Sequence, residues 1–379
     1  MSYKKQNKDK KSANQILIEE IADLITNNNE SADLSYMHST KLNRIPIKLT
    51  TGKPYSYANT IMLIGLQQKD DSMKIPAFVT FNEYSDMFKS WLKDGIISKE
   101  EVEAQGIDPE RPLKGKKSDA FVIFSKKSYK EGDKFFKRVE VVDGKNKTRY
   151  EPTREEIKEL KLEEIPVHTK HAIWSVNHLY FPEQVKAQYP IFAQAEALLD
   201  KKMSPEEVDL QLRQHAIDLL ESSGIPYSFS DAIETAHYGH SDFIGLGAED
   251  RFKSHRKMLS VAAHELGHAT GHKDRLNRSS LYNYSNERGY EEAVAEIHAM
   301  LVCRSFGVNS LPEHANYVKG WLGEDKNAYK LKKAAFEAYK AFEYTMEKYE
   351  LYMKNKLENV SEFVEEKKEQ NRSRRRARP

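Results

Sequence analysis

The stretch that most limits what this chain can become is His264-Glu265-Leu266-Gly267-His268, which follows directly on the small, apolar run Met258-Leu259-Ser260-Val261-Ala262-Ala263. Such a run reads as a buried helix, and helical side chains four residues apart share a face. His264 and His268 can then present ring nitrogens to one ion, with Glu265 beside it and placed to take a proton from water. Gly267 has no Cβ and lets a neighbouring element come close.

Two downstream stretches offer a third ligand. Gly271 breaks the helix and Asp274 extends the spacing, but that arrangement calls for a Met-turn, and Met300 sits in a helical stretch. The other stretch is Glu291-Glu292-Ala293-Val294-Ala295-Glu296, near the start of a helix over 289–306. Acids inside an Ala/Val/Ile/Met run are hard to account for without a buried cation. Here Glu292 would ligate, while Glu296, one turn on, would bond the outer nitrogen of a ligand histidine. The residues favour Glu292, with Asp274 and Glu291 as the alternatives.

Two imidazoles and one carboxylate leave a coordination position open, the pattern of a catalytic Zn2+ site with one ion. Such an ion lowers the pKa of a water to about 7 and polarises a carbonyl, as peptide hydrolysis requires. His237, His240 and His272 are candidates for contact with an oxyanion. A single cysteine, Cys303, excludes an intramolecular disulfide and a cysteine-built metal site.

The remainder suggests an α+β protein of two domains, as 379 residues would allow. Sixty Lys and Arg against 58 Asp and Glu leave +2, so overall charge does not select a polyanionic partner. No stretch approaches the roughly 18 apolar residues of a membrane span. The polar, lysine-rich residues 1–11 have no apolar segment behind them, which reads as a cytoplasmic protein without a signal peptide.

Residues 1–13 read as a basic tail, 14–185 as a mixed α/β domain, 186–350 as a mostly helical domain, and 351–379 as a helical extension with a basic tail. The pattern predicts helices over 14–26, 60–66 and 82–93, and strands over 77–81, 120–125, 136–142 and 171–180, with a turn at Asp143-Gly144. Later helices are expected over 190–201 and 205–222, the second opened by Ser204, Pro205 and Glu207 as a capping box. An extended stretch over 226–247 comes next, then a helix over 250–272. A long last helix over 325–367 carries a seam that includes Tyr329, Phe336, Tyr339, Phe342, Tyr349 and Leu357.

The run Ala236-His237-Tyr238-Gly239-His240-Ser241-Asp242-Phe243-Ile244, with the histidine pentad, Arg275-Leu276-Asn277-Arg278 and Glu291 to Ile297, resembles the zincin-like metallopeptidase domain of ArdC-type antirestriction proteins. Ala315 to Leu322 also fits that family. Upstream, Thr51-Gly52-Lys53-Pro54-Tyr55-Ser56-Tyr57-Ala58-Asn59, Phe78-Val79-Thr80-Phe81 and Lys114-Gly115-Lys116-Lys117 resemble its N-terminal single-stranded-DNA-binding domain. Ser56, Tyr57, Phe78 and Ala269 stand where the family usually has arginine, glycine, tryptophan and an aromatic residue.

The resemblance implies an α+β DNA-binding domain before a mostly helical zincin domain, carried by a plasmid or phage. Its partners would be single-stranded DNA and a host protein substrate. It also implies a third ligand from the Glu291-Glu292 helix. Tyr55, Tyr57 and Phe78 could stack on bases, Asn59 belongs to the same motif, and Lys48, Lys53, Lys114, Lys116 and Lys117 could meet phosphates.

Overall fold

The computed structural model describes residues 44–376, apart from 133, 143–144, 150, 201–203, 240, 309 and 311–327. The expected helix over 14–26, the Asp143-Gly144 turn, His240, the 315–322 stretch and the N-terminal tail lie outside the described residues.

The first part of the chain forms β1 (Ile47–Lys48), α1 (Tyr57–Lys69), β2 (Ala77–Thr80), α2 (Phe81–Lys93), α3 (Lys99–Ala104) and β3 (Ala120–Glu131). Next come β4 (Lys134–Phe135), β5 (Arg138–Val142), β6 (Lys145–Arg149), α4 (Arg154–Glu159) and β7 (Glu163–Ser175). The second part holds α5 (Glu183–Lys186), α6 (Pro190–Asp200), α7 (Pro205–Ser223), β8 (Tyr227–Ser230), β9 (His237–Gly239) and β10 (Phe243–Gly247). It closes with α8 (His255–Ala269), α9 (Ser279–Tyr282), α10 (Tyr284–Ser305) and α11 (Ala328–Arg376). No helix among the described residues is long and apolar enough to cross a membrane.

Packing divides the described residues differently from the sequence pattern. Residues 78–175 form one unit, and 44–77 belong with 176–376 in the other. The boundary expected at 185 misses this because Ile45, Ile61 and Ile64 join the same apolar core as Ala262, Ala263 and Val294. Burial of the α1 face therefore overrides its place in the chain.

In the unit over 78–175, β3 and β7 pair antiparallel from Ala120 opposite Ile173 to Lys130 opposite Glu163, and Phe78 of β2 pairs with Ser175 of β7. The strand expected over 171–180 instead ends at Ser175, where a short 3-10 turn begins. The β5–β6 hairpin pairs Val142 with Lys145. Tyr84, Phe88 and Trp91 line one face of α2, with ring centroids 5.9–6.0 Å apart.

In the other unit, α7 begins with the expected capping box: the Ser204 hydroxyl accepts from the Glu207 amide, and the Glu207 carboxylate accepts from the Ser204 amide. β10 runs parallel to β8 and antiparallel to β9. α8 packs against this small sheet and against α7 and α10. On α11 the inner face is Leu331, Ala334, Ala335, Ala338, Tyr339, Ala341, Phe342 and Tyr349. Phe336 and Leu357 of the expected seam face solvent, because the alanines let α11 approach α10 along a different stripe.

The α8–α10 contact is tightest at Gly267, where a Cβ would lie 2.9 Å from Ala295 Cα and 3.1 Å from His298 Nδ1. Alanine is the better helix former by about 1 kcal/mol, whereas overpacking against backbone costs about 1–3 kcal/mol, so the clash prevails. Urea denaturation of Gly267→Ala should therefore show a net loss of up to about 2 kcal/mol.

Candidate metal centre

α8 carries His264 and His268 on adjacent turns, and their Nε2 atoms lie 3.2 Å apart. Glu292 of α10 places Oε2 at 3.4 Å from the first and 3.6 Å from the second. One donor atom from each of the three lies within 4.8 Å of the others, and they form the one group of this kind among the described residues. Carboxylates hold the outer ring nitrogens: Glu296 Oε1 is 3.3 Å from His264 Nδ1, and Glu291 Oε1 is 3.2 Å from His268 Nδ1. Each ring is thereby turned so that Nε2 points into the common space.

Glu291 is fully buried and is itself clamped. Arg278 donates from Nε to Oε2 at 2.9 Å and from Nη2 to Oε1, while the Ser280 hydroxyl donates to Oε2. The same guanidinium donates to Thr270 Oγ1 at 2.9 Å and to the Gly267 carbonyl at 2.8 Å, which ties the loop after α8 to its last turn. Gly271 leaves room for it, since a Cβ there would lie 2.9 Å from Arg278 Nη2.

The electrostatics suit a cation. Burial opposes charge on every member, yet Arg278 and His268 hold the Glu291 carboxyl down at about 2. Burial likewise opposes a charged Glu292, but His264, His268 and Tyr284 hold it well below the carboxylate range. Against the same burial, Glu292 and Glu296 raise His264 to about 10, and Glu291 and Glu292 raise His268. Protons on two imidazoles thus balance a cluster of buried acids. Two inward nitrogens and an ionised oxygen are the donors a catalytic divalent ion takes, so the residues fit the ion.

Glu265 stands outside this donor group. Burial raises its carboxyl pKa, and the carboxylate accepts a backbone hydrogen bond from Tyr238 of β9. A cleft of about 1230 Å3 opens over these residues, walled by β9, α8 and the first turns of α10.

A sequence model of the zincin-like metallopeptidase family MPTase-PolyVal matches residues 214–338, which hold the whole donor group. Over 112 residues the chain is 34% and 33% identical to two Escherichia coli proteins named DNA primase TraC. That alignment takes in 29% of this chain and spans only 8% and 10% of those relatives' lengths. In fold, the chain is similar to the antirestriction ArdC protein of plasmid R388, with a TM-score of 0.52 and 18% identity to its metal-free structure. The Mn(II)-bound structure of that protein gives 0.54 and 19%. Both alignments cover 89% of this chain and 98% of the other. Residues 214–338 thus match a zincin-like metallopeptidase domain, and the chain shares the fold of ArdC.

Of the third-ligand alternatives, Glu292 joins the histidines. Asp274 does not: its side chain is 75% exposed and lies 3.5 Å from His272 Nδ1. Glu291 stands behind His268, on the wrong side of the ring. His237 and His272 line the cleft, and Met300 is packed in the core.

The nucleic-acid residues need a correction. Tyr55, Asn59 and Phe78 are 1–2% exposed. Tyr55 lies under Lys48, whose Nζ is 5.6 Å from the ring centroid, and its carbonyl accepts from the Tyr339 and Thr60 hydroxyls. Asn59 donates to Ser56 Oγ at 3.1 Å, and Phe78 is held in the paired strand β2. These three are packed inside and offer no stacking surface. Lys53, Lys114, Lys116 and Lys117 are exposed and Lys48 is half-buried. Nothing is described of the Tyr57 side chain.

Arg278, Ser280, Tyr238, Tyr284 and His298 are the site residues that the pattern of the chain alone did not single out for roles. His298 is completely buried, with Nδ1 2.9 Å from the Ala263 carbonyl and Nε2 2.9 Å from Thr345 Oγ1. It thereby links the turn before His264 to α11. Burial drops its pKa to about 3, against about 6.5 in the unfolded chain. A depressed folded pKa means that the unfolded state takes up a proton first as pH falls, so the contribution of His298 to stability is full above about 6.5 and declines below it. His215, lowered by burial, acts in the same direction. Denaturation of the metal-free protein at pH 6.5, 6 and 5 should show this decline, and His298→Asn should flatten it.

Proposed function

We propose that this chain is an ArdC-type antirestriction protein, a zinc-dependent peptidase that acts on a host protein and also binds single-stranded DNA. The observation that carries the peptidase reading is the convergence of His264, His268 and Glu292 beside a buried carboxylate, Glu265, which is not one of the donors. Zinc held by the three supplies Lewis acidity toward a carbonyl oxygen. Glu265, made more basic by burial, takes the proton from the attacking water and passes it to the leaving amine. Glu296 and Glu291 hold the two rings in register while this happens. β9 is bonded to β10 on one side and borders the cleft, where an extended peptide can lie along its main chain.

The DNA reading is supported by the exposed lysines and by Phe121, which is 45% exposed with Lys170 Nζ 4.2 Å from its ring centroid. An exposed aromatic ring beside a cation suits a stacked base and its phosphate. The names of the relatives, an antirestriction protein and DNA primases, agree with work on DNA.

Three variants test the peptidase. Glu292→Ala should lose most of its bound metal, whereas Asp274→Ala should keep it. Glu265→Gln should keep the metal and cut peptide hydrolysis by about 10²–10⁴-fold, and hydrolysis at the unaltered rate would remove the peptidase reading. For the DNA reading, retention of a labelled single strand should weaken steeply with salt. Phe121→Ala should then weaken it further, by about 1–3 kcal/mol for a stacked base.

A further inference from the structure

The two oxygens of Glu292 have different neighbours. Oε2 faces the ring nitrogens of His264 and His268, at 3.4 and 3.6 Å, while Oε1 accepts a hydrogen bond from the phenol of Tyr284. Tyr284 precedes Glu292 by eight residues in α10, about 12 Å along a regular helix. The helix is broken between them at Glu287, where φ is −117° and ψ is 17°, and its first turn departs from the axis of the remainder. The Tyr284 ring also meets His268 nearly edge-on, at a centroid distance of 6.4 Å and an interplanar angle of 77°. Arg288 lies 5.8 Å from the same ring and hydrogen-bonds its hydroxyl. The phenol thus bridges two members of the donor group from outside it, in a half-buried position at the cleft wall.

We propose that Tyr284 is a positioning residue that restricts Glu292 to one coordinating oxygen, and so biases the centre toward a four-coordinate ion, zinc, over ions that take more oxygen ligands, such as manganese. The proposal rests on reading His264, His268 and Glu292 as the metal ligands. A carboxylate can turn both oxygens to one ion. Zinc in a site of two nitrogens and one oxygen needs a single further ligand to complete its tetrahedron, whereas manganese favours an octahedral, oxygen-rich shell. With Oε1 engaged by the phenol, the protein offers three donors. Without the hydroxyl, Oε1 can swing inward as a fourth.

Tyr284→Phe removes the hydroxyl and keeps the ring against His268, so the fold around the site is retained. The full-length, metal-stripped protein and this variant are titrated with zinc and with manganese, each in competition with a chelator of known affinity. Their cobalt(II) forms are compared by visible absorption, which is strong for four-coordinate and weak for higher-coordinate cobalt. The expected result is a zinc affinity lower by about 10–100-fold, a manganese affinity that falls less or rises, and a weaker cobalt absorption. An unchanged zinc-to-manganese ratio with an unchanged cobalt spectrum overturns the proposal, including the case where both affinities fall together, which marks a tether without selectivity. If the unaltered protein binds neither ion, the metal-centre reading fails and takes this proposal with it. If it binds zinc and the variant behaves identically, the role of Tyr284 alone is refuted.

Discussion

Glu291, Glu292 and Glu296 are buried together on α10, facing His264 and His268 on α8. Carboxylates away from water must be matched by positive charge, or they protonate and the arrangement is lost. Here the balance comes from Arg278 behind Glu291 and from two imidazoles that stay protonated unless a cation replaces the protons. Matching these buried carboxylates with positive charge is the constraint around which the centre is built. It requires α8 and α10 to lie very close, and the missing side chain of Gly267 over Ala295 permits that.

The surrounding elements keep the two helices in place. α11 braces α10 through a row of alanines and bonds His298 through Thr345, and His298 in turn holds the carbonyl of Ala263, next to His264. On the cleft side, β9 holds Glu265 by a main-chain donor. Its neighbour turn is fixed by Arg275, which bonds Asp242, the Tyr238 hydroxyl and the Ala269 carbonyl at the end of α8. The candidate base and the donor group therefore rest on separate supports that meet at α8. A substitution that loosens one support can spare the other.

Much of the centre was legible in the linear chain because helical periodicity is local. The four-residue spacing of His264 and His268, the Glu292 and Glu296 pair one turn apart, and the capping box at Ser204 each need only one helix to be understood. Arg278 and Tyr284 were not legible as partners of the acids. Arg278 sits in an irregular loop with no period, and Tyr284 reaches Glu292 only because the helix breaks at Glu287. Tyr55 and Phe78 misled for a related reason: an aromatic residue in a motif looks the same whether it stacks on a ligand or fills a core, and only burial separates the two.

From its order of residues alone this chain determined which side chains could share a helical face, and hence a pair of imidazoles, a candidate base and a pair of acids with the spacing of a metal site. Whether Glu292, Glu291 or Asp274 completes that pair depends on how two helices cross, and the packing of α8 on α10 decided it. The same packing placed residues 44–77 with the C-terminal core and turned Tyr55 inward. Periodicity acts over a few residues and is written along the chain. Burial and the choice among competing oxygens arise from contacts between segments far apart in sequence, and those exist only once the chain has folded.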